Sequence, residues 1–212
     1  MNFDAFIKSI VKIKKLPLPA EASQYKMSPP YREKLIAKQK EKMKNAKQSA
    51  VLVLFYPNEV KETYLILILR KTYKGVHSAQ VGFPGGKLEA GETLEEAALR
   101  EAYEEVGVDM EKVKVLKEMT QVYIPPSNFF VQPYVGIVEE SPVFVKQDEE
   151  VEELLEVKLS DFLDEGNVTT KTVSTAYDIE VEVPAYRLKG HLVWGATAMM
   201  LSEVKDLLKT IL

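Results

Sequence analysis

Three glutamates, Glu101, Glu104 and Glu105, stand three, four and one positions apart in a stretch with no helix breaker. Residues three and four apart share one side of an α-helix, and like charges placed there destabilise it by roughly 0.2–0.5 kcal/mol per pair. A fold tolerates that repulsion when a divalent cation sits between the acids, because hard cations take several anionic oxygens. A solvated acidic face is the alternative reading of such a cluster. The cation reading is favoured here because Gly85-Gly86 precedes the acids at a spacing that lets the backbone turn sharply and approach a metal or an anion.

The element that must position these acids is a helix from Leu94 to Val106. Thr93 is placed to be its N-cap, with Glu96 three residues on as the reciprocal partner of a capping box. The run between contains good helix formers, and Gly107 supplies a residue free to adopt the left-handed conformation that ends it. Leu99, Ala102, Tyr103 and Val106 recur at offsets of three and four, which predicts a buried stripe distinct from the acidic one.

Gly86, then Glu92, then Arg100-Glu101-Ala102-Tyr103-Glu104-Glu105-Val106-Gly107-Val108 resembles the Nudix box at every defining position. The resemblance implies an α/β fold, an α/β/α sandwich around a mixed β-sheet. It also implies an enzyme that uses Mg²⁺ or Mn²⁺ to hydrolyse a small-molecule diphosphate. Glu101, Glu104 and Glu105 are then the expected metal ligands, Arg100 the residue that pairs with a carboxylate and fixes its direction, and Glu92 the tie between loop and helix. One of these glutamates, or Glu150 in the later acidic run Asp148-Glu149-Glu150, is expected to serve as general base or further ligand.

Upstream, Leu67, Arg70 and Phe83-Pro84-Gly85-Gly86 resemble the coenzyme A diphosphatase branch, as does the downstream stretch His191 to Ala198 with its Trp194-Gly195 pair. Ile68, Lys71, Gly75 and Ala79 depart from that branch pattern. The branch implies a CoA-like substrate, cut to 4′-phosphopantetheine or its acyl form and adenosine 3′,5′-bisphosphate. Arg70 and Lys74 offer charge-assisted contacts to its phosphates, Gly85 and Gly86 close backbone approach, and Phe83 an apolar contact; Gln80 either holds the loop or touches substrate. ADP-ribose or another nucleoside diphosphate derivative is the alternative substrate. A binding module without catalysis is disfavoured by the intact acidic triad.

Composition sets the frame. The 212 residues suffice for one α/β domain with decoration, and the absence of Cys excludes disulfides and thiolate chemistry. That, with no apolar run long enough for a membrane span, makes a cytoplasmic protein without membrane association the expectation. Residues 1–48 hold twelve Lys/Arg against four Asp/Glu, a balance of +8 that leaves −12 on the remainder of a chain with net charge −4. With only Tyr25 and Tyr31 as stacking residues there, nucleic acid is not the expected partner.

Phe3, Phe6, Ile7, Ile10 and Val11 predict an amphipathic first helix, followed by an irregular Pro-rich segment and a Lys-rich helix over Tyr31–Lys47. These form an N-terminal helical extension, residues 1–48, packed on a main domain of 49–212; it could also mediate a homodimer, as is common among Nudix enzymes. Strands are predicted at Ala50–Tyr56, Tyr64–Arg70, Val81–Phe83, Val113–Ile124, Phe130–Val138 and Glu152–Leu159, the last leading into a short helix over Ser160–Leu163. Val168–Thr175 and Ile179–Arg187 form an expected hairpin, and Trp194–Leu212 a closing helix with Trp194 in the core.

Overall fold

A computed structural model describes residues 1–71, 80–174 and 180–212. The chain opens with α1 (Phe3–Ile10), α2 (Ala20–Gln24), α3 (Arg32–Lys38) and α4 (Lys40–Met43). Next come β1 (Lys47–Pro57), β2 (Thr63–Arg70), β3 (Val81–Gly82), β4 (Gly85–Lys87) and α5 (Leu94–Val106). β5 (Lys114–Glu118), β6 (Val122–Ile124), β7 (Phe129–Ile137), β8 (Val151–Lys158) and α6 (Leu159–Leu163) follow. The described chain closes with β9 (Val168–Ser174), β10 (Glu180–Leu188), β11 (His191–Trp194) and α7 (Gly195–Lys209). None of the described helices is long and apolar enough to cross a membrane.

β1 is the axis of the molecule. It runs parallel to β7 from Lys47↔Phe129 to Phe55↔Ile137 and antiparallel to β2 and β4. The path β3-β2-β1-β7-β5, with β8 on β2, β4 on β1 and β6 on β7, makes a mixed eight-stranded sheet. Because side chains alternate along a strand, the apolar run of β1 feeds two cores. Val51, Val53 and Phe55 pack with α1 and α7, whereas Ala50, Leu52, Leu54 and Tyr56 pack with Ala98, Ala102 and Val106 of α5. This is the α/β/α sandwich expected. A second sheet, β11-β10-β9, is antiparallel throughout.

The N-terminal helices are built into the molecule. Phe3, Phe6 and Ile10 are fully buried in the α1/α7 core, and burying side chains of this size contributes roughly 2 kcal/mol each. Backbone bonds join Phe3 N–H to Lys61 O at 2.8 Å and Thr63 N–H to Met1 O at 3.0 Å. Further on, the fully buried Glu203 of α7 accepts from Ala20 N–H (3.1 Å), Gln24 Nε2 (3.0 Å) and Thr120 Oγ1 (2.5 Å). Ser23 donates to Asp206 beside it.

Several elements depart from the sequence expectation for physical reasons. The predicted helix over Tyr31–Lys47 divides at Gln39, whose backbone leaves the helical region (φ −112°, ψ 13°) and whose Oε1 accepts from Tyr123 Oη at 3.2 Å. Lys47 already belongs to β1. The strand expected over Val113–Ile124 is two strands, because Pro133 in β7 has no N–H to donate to the ladder. Instead, Met119 N–H donates to Pro133 O at 2.9 Å, and Gln132 Nε2 reaches Met119 O at 2.5 Å. Trp194 ends β11 and is the N-cap of α7, so it does open the last helix, but it is half-buried rather than in the core.

Candidate active site

The acidic helix folds as its ends dictate. Glu96 N–H donates to Thr93 Oγ1 at 3.2 Å and Thr93 N–H to Glu96 Oε2 at 2.7 Å, completing the capping box. At the other end Gly107 takes φ +74° and its N–H returns to Tyr103 O. The buried stripe is the expected one in part: Ala102 and Val106 are buried and Leu99 packs on the same core, but Tyr103 does not join them. Ala98, Glu101, Ala102, Glu105 and Val106, at i, i+3, i+4, i+7 and i+8, face the sheet, and Tyr103 is 55% exposed. Two of the acids therefore lie on the packing face. Glu105 is only 2% exposed, Glu101 is largely covered, and the Glu104 side chain remains 52% exposed.

Gly85 and Gly86 make this possible. They form β4, an antiparallel partner of β1 with Gly85 opposite Val51 and Gly86 opposite Ala50. A Cβ on Gly85, at φ +153°, would stand 2.3 Å from Ala50 O; one on Gly86 would stand 2.2 Å from the Glu101 carboxylate. The first glycine lets β4 dock on β1, and the second leaves space for an acid directly against the backbone.

Arginines hold the carboxylates. Arg100 donates through Nε and Nη2 to both oxygens of Glu92 (3.0 and 2.9 Å), and through Nη1 to Glu101 (3.1 Å) and Glu104 (3.2 Å). Its Nη2 also reaches Lys87 O at 3.1 Å, and its pKa is raised, chiefly by the bonds to Glu92. Glu92 further accepts Glu89 N–H at 2.7 Å, so loop, strand and helix converge on one guanidinium. Arg70 occupies the inner side. Its Nη2 donates to Gly85 O at 2.6 Å and its Nη1 lies 3.0 Å from Glu105 Oε1, outside hydrogen-bond alignment. Glu105 Oε2 accepts Gly85 N–H at 2.8 Å, leaving Oε1 buried without a hydrogen bond.

Burial pushes the Glu105 carboxyl up to about 7; Arg70 and the Gly85 N–H oppose the rise, and the charges of Glu101 and Glu150 add to it. Burial raises Glu101 as well, against its bond to Arg100. Among the described residues no three acidic, His or Cys side chains converge closely enough to hold a metal ion in this conformation, since each acid is turned to an arginine. The donor set nevertheless suits a hard cation: two carboxyls raised by burial, one buried oxygen lacking a hydrogen bond, and a third carboxylate at the surface beside them.

Arg100, Glu101 and Glu104 open into a cleft of about 700 Å³ that also includes Arg70, Gln80, Phe83, Gly85, Gly86 and Glu150, with Glu105 buried behind its lining and bonded to Gly85. The structure thus brings together all the expected site residues except Lys74, which lies outside the described residues. Phe83 is 2% exposed at the cleft floor, and Glu150, exposed, carries its N–H to Gln147 Oε1 at 2.7 Å. Sequence reasoning missed the rest of the lining. Tyr31, Arg32 and Leu35 of the N-terminal helices, Pro125 and Pro126 of the β6–β7 turn, Phe129 at the start of β7, and Trp194 complete the cleft. Arg32 had one signal: it is the lone arginine in a segment otherwise charged positively by lysines.

A mixed sheet sandwiched by helices, with a glycine strand clamped under an acidic helix, defines a Nudix-type α/β protein. The family described as NUDIX domain matches residues 46–175, and the chain belongs to it. It is 37% identical over 151 residues to a Nudix hydrolase NudL of Yersinia enterocolitica, covering 68% of this chain and 73% of the relative. It is 27% identical over 165 residues to the peroxisomal coenzyme A diphosphatase ndx-8 of Caenorhabditis elegans, covering 75% of this chain and 68% of that one. The chain spans about two thirds of the length of the worm relatives it matches. Among solved structures, a Nudix hydrolase of M. smegmatis, RenU, shares the fold at a TM-score of 0.54 and 19% identity, over 79% of this chain and 88% of that one.

Proposed function

We propose that the protein hydrolyses the diphosphate linkage of coenzyme A or acyl-CoA, yielding 4′-phosphopantetheine or its acyl form and adenosine 3′,5′-bisphosphate. The observation that carries this reading is the buried Glu105 and the half-buried Glu101, packed against a two-glycine strand at one side of a nucleotide-sized cleft. The likeness to a coenzyme A diphosphatase supports the choice of substrate. Mg²⁺ or Mn²⁺ held by Glu101, Glu104 and Glu105 would acidify water and neutralise charge on the phosphoryl oxygens.

The chain's own residues do the rest. Arg100 orients Glu101 and Glu104 by hydrogen bonds to each, and Arg70 with the Gly85 N–H fixes Glu105. Gly86 keeps the backbone thin where the diphosphate approaches Glu101. Glu150, exposed beside the cleft, accepts the proton of the attacking water. The water oxygen bonds to one phosphorus, the P–O–P bridge breaks, and the bridging oxygen leaves on the other phosphate. Phe83 at the floor packs on an apolar part of the substrate.

A panel of CoA, ADP-ribose and nucleoside triphosphates with Mg²⁺ or Mn²⁺ tests the substrate, and rapid turnover of ADP-ribose with CoA left intact would rule out the CoA reading. Glu104→Gln should abolish turnover while leaving the metal-free melting temperature nearly unchanged, because the side chain is half-exposed. A large loss of stability would instead mark Glu104 as structural.

A further inference from the structure

Arg32 is not explained by the hydrolytic site. Its side chain belongs to the extension, is 9% exposed, and lines the same cleft as Glu101 and Glu104. Among the described residues it makes one hydrogen bond, from Nη2 to Tyr123 O at 2.6 Å, and its Nε is buried with no acceptor. Burial lowers its pKa; Tyr25 and then Glu21 oppose this through space, and among the described residues neither pairs with it directly. A guanidinium removed from water needs an anion and acceptors in a matching plane, and one neutral carbonyl supplies neither in full. The cost is tolerable when a ligand completes the set. The same cleft receives the start of α7 at Gly195, Ala196 and Thr197, where no side chain caps the helix, so the field there also favours a negative group.

The geometry points to Arg32 as a specificity residue that binds a phosphomonoester carried by the substrate in addition to its diphosphate. This rests on the proposed reading of the cleft and extends it: acids hold one part of the ligand, and Arg32, in the same lining, recognises a third phosphate. Phosphate suits the site because guanidinium pairs with it through parallel N–H bonds. On a CoA-type substrate the matching group is the 3′-phosphate of the adenosine.

Two measurements on the full chain test it. The first compares kcat/KM for CoA and 3′-dephospho-CoA, which carry the same scissile bond. The wild type should prefer CoA by about tenfold or more, the factor one bond to a charged group contributes. Arg32→Gln should bring the ratio close to one, and Arg32→Lys should recover part of it. A general loss of folding or turnover cancels in this ratio. The second measures binding of adenosine 3′,5′-bisphosphate and AMP in chelator, with no hydrolysis required. The wild type should bind the bisphosphate at least about tenfold more tightly, and Arg32→Gln should lose most of that difference. Equal affinity of the wild type for the two nucleotides, binding of neither, or a preference that survives in Arg32→Gln would overturn the inference. Absence of CoA hydrolysis with the binding preference intact would overturn only the proposed substrate.

Discussion

Glu105→Gln should make the metal-free protein's stability less dependent on pH. Burial moves this carboxyl from its ordinary value of 4.5 up to about 7. At roughly 1.4 kcal/mol per pKa unit, the charged form costs the fold about 3 kcal/mol. The residue is only 2% exposed, so solvent screening does not reduce that figure much. The folded state holds the proton more tightly than the unfolded chain, so the contribution is fully present below about pH 4.5. It is lost as pH rises toward 7, and stability is level above that. For a chain of this size about 3 kcal/mol corresponds to roughly 6–12 °C in melting temperature. Glutamine keeps the shape and an acceptor for Gly85 N–H but cannot ionise. Arg70 then faces a neutral side chain at every pH, as it does in the wild type below about pH 7, so the variant's curve stays level. Thermal melts in chelator between pH 5 and 8 should therefore show a downward slope in the wild type that is largely absent in the variant. An equal slope in both would refute the assignment of the buried charge to Glu105.

The two glycines of β4 should respond differently to alanine. On Gly85 the new methyl meets backbone, Ala50 O at 2.3 Å, so Gly85→Ala should cost about 3 kcal/mol or more and be read as a fall in melting temperature. On Gly86 it meets only the end of Glu101, which can swing away; Gly86→Ala should fold with near-normal stability and lose about a hundredfold in turnover, measured as kcat. Glu203→Ala should destabilise the protein by about 3 kcal/mol, since it strands three donors in or near the core, and proteolysis within residues 1–48 should quicken.

Much of this arrangement was readable in local chemistry. The capping box at Thr93–Glu96 and the glycine at 107 specify their own hydrogen bonds, so α5 forms where the residues say it must. β1 announces itself by a continuous apolar run, because both faces of the strand are covered. The depth of Glu105 was not readable, since its neighbours at i−3 and i+1, Ala102 and Val106, set the buried face only once a sheet lies against it. Likewise β4 is a strand because β1 offers it a ladder; Gly-Gly-Lys has no strand propensity of its own. The wall made by Tyr31, Arg32 and Leu35 depends on contacts with residues nearly a hundred positions away, such as Arg32 to Tyr123, and no spacing rule reports those.

The hydrogen bonds that fasten α2 to α7 join partners 179 to 183 positions apart. Contacts of such span form late, because a long loop must close before they return any energy. On the ribosome the emerging sheet and acidic helix can assemble before α7 is there to receive α2. The order of assembly thus makes the sheet beneath the acidic helix the older structure in each molecule's lifetime, and the docking of α2 on α7 the last step of its making.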